Sequence, residues 1–142
     1  MKAEQISVFL ENRSGSLSRV VHILSNEKIK ILAMSLADTS DFGILRLIVA
    51  DLEKTRQCLS KNGFTIGSAS VVAVKIAEDP AIIDDLLQVL AARDINVEYM
   101  YAFLRDRDAS AMIFRFDKMD EAIDLLGESG YALLSSKELA TF

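Results

Sequence analysis

Ile6-Ser7-Val8-Phe9-Leu10 runs into Glu11-Asn12-Arg13-Ser14-Gly15-Ser16, and that into Leu17-Ser18-Arg19-Val20-Val21-His22-Ile23-Leu24. Apolar residues at 6, 8 and 10 alternate, the period of a half-buried strand. At 17, 20, 21 and 24 they recur on one face of a helix. The polar, glycine-bearing stretch between them has the chemistry of a turn. The same strand, loop and helix pattern is written again further along. A shift of 66 residues carries Ile6 and Val8 onto Val72 and Val74, and Leu17, Val20, Val21 and Leu24 onto Ile83, Leu86, Leu87 and Leu90. Ile29 and Ile31 fall on Ile95 and Val97. Past the middle of each half the shift becomes 67. Leu45, Leu47 and Val49 then fall on Met112, Phe114 and Phe116, and Leu52, Leu59, Gly63 and Phe64 on Met119, Leu126, Gly130 and Tyr131. The added residue is expected in a turn near Asp106 to Asp108. A period of this length makes the repeat the first fact about the fold.

Each half reads strand, helix, strand, strand, helix, strand. In the first, Ile29 to Ala37 and Ile44 to Ala50 read as strands around the turn residues Asp38-Thr39-Ser40-Asp41. Asp51 to Asn62 reads as a helix with Asp51 at its N-cap and Gly63 as its stop, and Phe64 to Ser68 as a short last strand. In the second, Asp79 takes the N-cap and Pro80 the first helical position, where a missing N–H costs nothing. Met119, Ala122, Ile123 and Leu126 form the apolar stripe of the last expected helix. The predicted class is α+β: two ferredoxin-like βαββαβ repeats, 1–69 and 70–142. Gly67-Ser68-Ala69-Ser70 is too short for a free tether, and a half of about 70 residues is marginal alone. The expected arrangement sets the repeats side by side as one antiparallel sheet with helices on one face.

Composition narrows the function. Among 142 residues, Lys plus Arg is 16 and Asp plus Glu 21, a net charge of −5 that opposes phosphate backbones and anionic lipid. No nucleic acid and no membrane partner are expected, and no apolar run approaches the ~20 residues of a membrane span. With 51% hydrophobic and 26% charged residues the chain can bury a core, which excludes disorder. One Cys and one His, Cys58 and His22, leave no ordinary metal site, disulfide or catalytic triad. No metal, cofactor or catalytic residue is expected, and the location is expected to be cytoplasmic.

The loop Glu11 to Leu17 carries the chemistry. Gly15 permits close backbone approach, and Ser14 or Ser16 can cap the helix that follows. The free N–H groups of that helix's first turn would seat a carboxylate or phosphate. Asn12 adds donors and an acceptor suited to a zwitterion. On the residues alone, a plain turn and cap accounts for the loop equally well.

Asn12-Arg13-Ser14-Gly15-Ser16-Leu17 resembles the Asn-x-Pro-Gly-x-Leu signature of ACT domains, with Ser14 in place of the family's Pro and Glu11 as the acidic residue that often precedes it. The resemblance covers both halves. It implies a stand-alone tandem ACT protein that binds a free amino acid and modulates a partner enzyme or regulator. In the second half the matching loop is Glu78-Asp79-Pro80-Ala81, where Glu78 would repel a carboxylate and Ala81 crowds its approach. In serine-responsive ACT pairs one domain gives the glycine loop and its neighbour an Asn early in the second strand. Asn96 holds that place here, and Lys30 holds it in the first half. The resemblance therefore implies one composite site formed by Glu11, Asn12, Arg13, Ser14, Gly15, Ser16 and Leu17 with Asn96, Glu98 and Met100. Asn96, Glu98 and Met100 share a strand face by simple alternation, which a bulge would break. Tyr99 and Tyr101 read as packing under helices, with stacking on a ligand ring as the alternative.

Other readings stay open. An interaction scaffold with vestigial pockets needs no ligand. An acylphosphatase-like enzyme would use Arg13 but lacks a glycine-rich anion cradle around it. An RNA-recognition motif would use Phe114 and Phe116 on exposed strands, yet these align with the core positions Leu47 and Val49. His22 and Cys58 read as structural, Asp84 and Asp85 as solubilising, and Arg105-Asp106-Arg107-Asp108 as a solvated turn. Strand edges of such a sheet pair readily, so a homodimer is expected.

Overall fold

A computed structural model describes residues 2–38, 41–76, 79–106 and 109–142 of the chain. Thr39, Ser40, Glu78, Arg107 and Asp108, for which turn or loop roles are expected, lie outside the described residues. Two compact units form, Glu4–Ala69 and Ser70–Phe142, the latter joined by the N-terminal residues up to Ala3.

In the first unit, β1 (Ala3–Glu11) leads to α1 (Ser16–Asn26), then β2 (Ile31–Asp38), β3 (Phe42–Val49), α2 (Leu52–Lys61) and the start of β4 (Thr65–Ile76). Its strands lie in the order β2-β3-β1-β4. The β1–β3 and β2–β3 pairs are antiparallel. In the second unit the rest of β4 is followed by α3 (Pro80–Ala92), β5 (Val97–Asp106), β6 (Ala109–Phe116), α4 (Met119–Glu128) and β7 (Ala132–Leu134). The order there is β5-β6-β4-β7, again antiparallel. The βαββαβ pattern is thus formed twice. One boundary differs from the sequence reading: Gly67 to Ser70, expected as four residues between two strands, are the interior of the unbroken strand β4. Their small side chains accept extended backbone as readily as a break.

The alternation seen in sequence sets both cores. Ile6, Val8, Leu45 and Leu47 of the first sheet are buried against Val20 and Leu24 of α1 and Cys58 and Leu59 of α2. Val72, Val74, Phe114 and Phe116 are buried against Leu86 and Leu90 of α3 and Ala122 and Leu126 of α4. The rings of Phe114 and Phe116 stack with centroids 5.2 Å apart inside this core, so they are not a nucleic-acid platform.

Helices α1 to α4 stop in the same way. The αL residue after each is Lys28, Gly63, Asp94 or Gly130, with φ of 56°, 85°, 57° and 88°. The next residue donates its N–H back to a carbonyl five positions earlier, as Ile29 does to Leu24 at 2.9 Å and Tyr131 to Leu126 at 3.0 Å. This closure satisfies carbonyls that a helix end leaves open and turns the chain towards the sheet. Equivalent bulges also begin the second strands, at Ile31/Ala33 and Val97/Tyr99.

A fifth helix, α5 (Ser136–Thr141), has no counterpart in the first repeat. Ser135 and Glu138 form a capping box at its start, a Ser-x-x-Glu signal that the sequence reading passes over. Beyond it, the Phe142 ring lies 5.8 Å from that of Phe103 and within reach of the Lys75 ammonium, 5.9 Å away. Register puts Phe103 and Lys75 together opposite Ala111, on the sheet face away from Val72 and Phe114.

Leu126 is fully buried in the second core. Leu126→Ala is expected to lower unfolding free energy by about 2–5 kcal/mol, the range for truncating a buried leucine. Urea denaturation followed by circular dichroism measures it.

Candidate functional site

The loop between β1 and α1 is shaped by one glycine. Gly15 takes φ 90° and ψ −15° at the N-cap of α1, and no side chain caps the helix. The expectation that Ser14 or Ser16 caps it is therefore corrected. A side-chain cap needs an extended residue at that position, and the left-handed Gly15 supplies none. The Ser16 N–H is held only by a 3.4 Å contact to the Arg13 carbonyl. The amides of Leu17 and Ser18 have no intrahelical acceptor by construction. The rest of the loop is pinned: Asn12 N–H donates to the Asp41 carbonyl at 3.2 Å, and Arg13 N–H to the Glu11 carbonyl at 2.8 Å. The Arg13 guanidinium pairs with the Glu11 carboxylate at 2.9 Å.

Beside this loop lies a cavity of about 840 Å³, inside the range of roughly 300–1,000 Å³ typical of small-molecule sites. Glu11, Arg13, Ser14, Gly15 and Ser16 line it, as does Leu10. Asn12 does not line it, and Leu17 packs against the first core. The cavity also takes residues the sequence reading missed: Phe9, Arg19, Phe42, Phe64 and Thr65. Arg19 sits one turn from Gly15, and its N–H donates to the Gly15 carbonyl at 3.0 Å. Its guanidinium lies 4.8 Å from the centre of the Phe64 ring and donates to the Asn62 carbonyl at 3.2 Å. Among the described residues no carboxylate pairs with it. The signal for Arg19 was its i+4 spacing from Gly15. The signal for Phe9 was an aromatic residue in the outward phase of a strand.

The second repeat builds the matching place differently. Asp79 caps α3 by accepting the Ala81 N–H at 2.9 Å, with Pro80 at the first helical position. Pro80 and Ala81 are already helical where Ser14 and Gly15 form the open turn. The counterpart of Arg19 is Asp85, and that of Phe64 is Tyr131. The Tyr131 hydroxyl donates to the Asp85 carboxylate at 2.5 Å. Burial first, and then this hydrogen bond, push the Tyr131 phenol up to about 12. Asp85 thus holds a specific partner, which corrects its reading as a solubilising residue only.

The remaining expected site residues lie in the second unit. Asn96 is exposed and precedes β5. Its N–H donates to the Asp117 carboxylate at 2.9 Å, and its carbonyl accepts from the Asp117 N–H at 3.2 Å. The bulge at Val97/Tyr99 overturns the expected alternation. Val97 and Met100 face the core, opposite Phe116 and Phe114, and Glu98 is the extra residue between. Glu98 lies 3.7 Å from Arg115, and Met100 packs on the second core. Tyr99 and Tyr101 pair with Arg115 and Ile113 on the other face, so they do not pack under α3 and α4. His22 is exposed and bonds Asn26 at 3.2 Å. Cys58 is buried, and burial pushes its thiol up. No group of three or more metal-ligating side chains occurs among the described residues, and no described helix is long and apolar enough to cross a membrane.

The family model described as an ACT domain pair matches residues 1–142. The crystal structure of protein BT0572 from Bacteroides thetaiotaomicron is 35% identical, with a TM-score of 0.92 over 100% of this chain and 98% of that one. The regulatory subunit of aspartate kinase from Thermus thermophilus, in its ligand-free form, is 12% identical with a TM-score of 0.60 over 89% and 92% of the two chains. That from Thermus flavus is 12% identical with a TM-score of 0.59 over 91% and 93%. At that identity the likeness to the kinase subunits is one of fold. No curated protein matches the chain in sequence.

Two variants probe this local chemistry. A Cβ on Gly15 meets nothing within 4 Å, yet φ of +90° is strained for any L side chain. Gly15→Ala is expected to cost about 1–2 kcal/mol in chemical denaturation through backbone strain alone. For Tyr131, a phenol held above its ordinary value of 10 stabilises the fold fully below pH 10. That contribution is lost as pH rises towards 12. Tyr131→Phe should be less stable than wild type at pH 8 and lack the extra decline between pH 10 and 12, as thermal melts across that range would show.

Proposed function

The chain belongs to the ACT domain pair family, a class of regulatory domain, and all 142 residues fall within the matched pair; we propose that it is a non-catalytic sensor that binds a free amino acid at the Gly15 cavity. Binding would be passed to a partner enzyme or regulator. The observation that carries this reading is the open turn at Gly15 beside the Arg19 guanidinium, which meets no carboxylate among the described residues. An uncapped helix start and a cation line one cavity, and both favour a carboxylate. Glu11, ion-paired with Arg13, stands at the same wall, where its carboxylate oxygens can also accept from an ammonium group. The Thermus proteins are regulatory subunits of aspartate kinase, and a regulatory role for this chain accords with that likeness.

Such a sensor works only if the ligand prefers one state of the protein over another. A homodimer belongs to this reading too: β2 ends its strand order with Met34 and Leu36 42% and 52% exposed. A cytoplasmic location belongs to this reading as well.

Thermal melts with each amino acid at millimolar concentration test the proposal. A ligand at a hundredfold excess over Kd adds about 2.7 kcal/mol to stability, so the midpoint is expected to rise for at least one amino acid. Gly15→Asp, which puts a carboxylate into the anion seat, should abolish the rise. A Gly15→Asp protein that still responds like wild type would refute the site.

A further inference from the structure

Three phenyl rings border the Gly15 cavity, and two of them are poorly covered. Phe9 is 45% and Phe42 55% exposed. The register Phe9↔Ile44 and Glu11↔Phe42 makes them diagonal neighbours on one sheet face, within reach of each other and of a third ring. Phe64 closes the cavity from the other side, beneath the Arg19 guanidinium. The charge in the wall is unbalanced. Arg13 is matched by Glu11, and no described carboxylate matches Arg19. A ligand with a cationic side chain would meet this excess charge and find no acid of its own.

The second repeat serves as an internal control, because the same fold in the same chain lacks each of these features. Lys75 stands for Phe9, Ala109 for Phe42, Asp79 for Arg13 and Asp85 for Arg19. Phe64 becomes Tyr131, whose hydroxyl is tied to Asp85. Beside Lys75, the counterpart of the exposed Phe9, the chain places a phenyl ring of its own, that of Phe142. The first repeat has no helix matching α5 to supply such a ring.

We propose that the first-repeat cavity selects a carboxylate bearing an aromatic ring, with the ring against Phe9 and Phe42 and the carboxylate at Arg19 and the start of α1. This rests on the ligand site proposed above and names its class as the aromatic amino acids. Ring-on-ring contact adds to simple burial, and a carboxylate on a guanidinium is a strong, directional pair.

Isothermal titration of the full chain with phenylalanine, tyrosine, tryptophan, serine, aspartate, lysine and phenylacetate tests it. At least one aromatic amino acid should bind tenfold or more tighter than serine or aspartate, and lysine weakest. Phe42→Ala, at an exposed strand end, should weaken the aromatic amino acids tenfold or more and so erase their advantage over serine. Arg19→Gln should weaken phenylalanine and phenylacetate alike. If serine or aspartate binds more tightly than every aromatic, and Gly15→Asp abolishes that binding, this inference falls while the amino-acid sensor stands. If phenylacetate binds and no amino acid does, the ring-bearing carboxylate stands and the amino-acid reading falls. No binding by any of the seven compounds removes both.

Discussion

The left-handed turn at Gly15 is the constraint on which the candidate site depends. A residue at φ of +90° cannot serve as an extended, side-chain-capped helix start. Helix α1 therefore begins late, with its first amides free of side-chain partners. In the second repeat Asp79 and Pro80 let α3 begin two positions earlier in the aligned pattern. There the Ala81 N–H is claimed by the Asp79 carboxylate, the Ile82 N–H by the Asp79 carbonyl, and Pro80 has none to offer. The two helix starts, at equivalent places in the repeats, thus end in opposite states. One presents backbone donors to a cavity, and the other consumes them.

Charge follows the same division. Helix position 19 carries a guanidinium over a phenyl ring, and the matching position 85 carries a carboxylate bonded to a phenol. Each pair packs the first helix of its repeat against the residue that follows the second helix, so both do the same structural work. Their electrostatic consequences are opposite. An anion is favoured beside Arg19 and opposed beside Asp85. Duplication preserves the packing roles because both cores need them, and it leaves the surface chemistry free to diverge.

Packing roles are also what the linear pattern records best. The apolar positions of Ile6, Val8, Val20 and Leu24, and of their partners 66 residues on, all lie in the two cores. Asp51, Asp79 and Pro80 act as the helix signals they appear to be. Where the reading departed from the structure, the cause was local. Gly67 to Ser70, read as a short segment between two strands, lies in the interior of one. The bulge after Val97 breaks alternation without any marker residue. Asp85 looks like a solvated charge until Tyr131, 46 positions away, reaches it.

The repeat, the βαββαβ order, the core faces and the glycine loop are legible in the linear chain, because each is written in spacings of a few residues or in the recurrence of those spacings. Which side chains share the cavity is set by folding. Phe9, Phe42 and Phe64 lie far apart along the chain and meet because β1, β3 and the start of β4 end near one another beside α1. No local period encodes that meeting. It follows from strand register and from the helix stop at Gly63, which exist only once the whole repeat has folded.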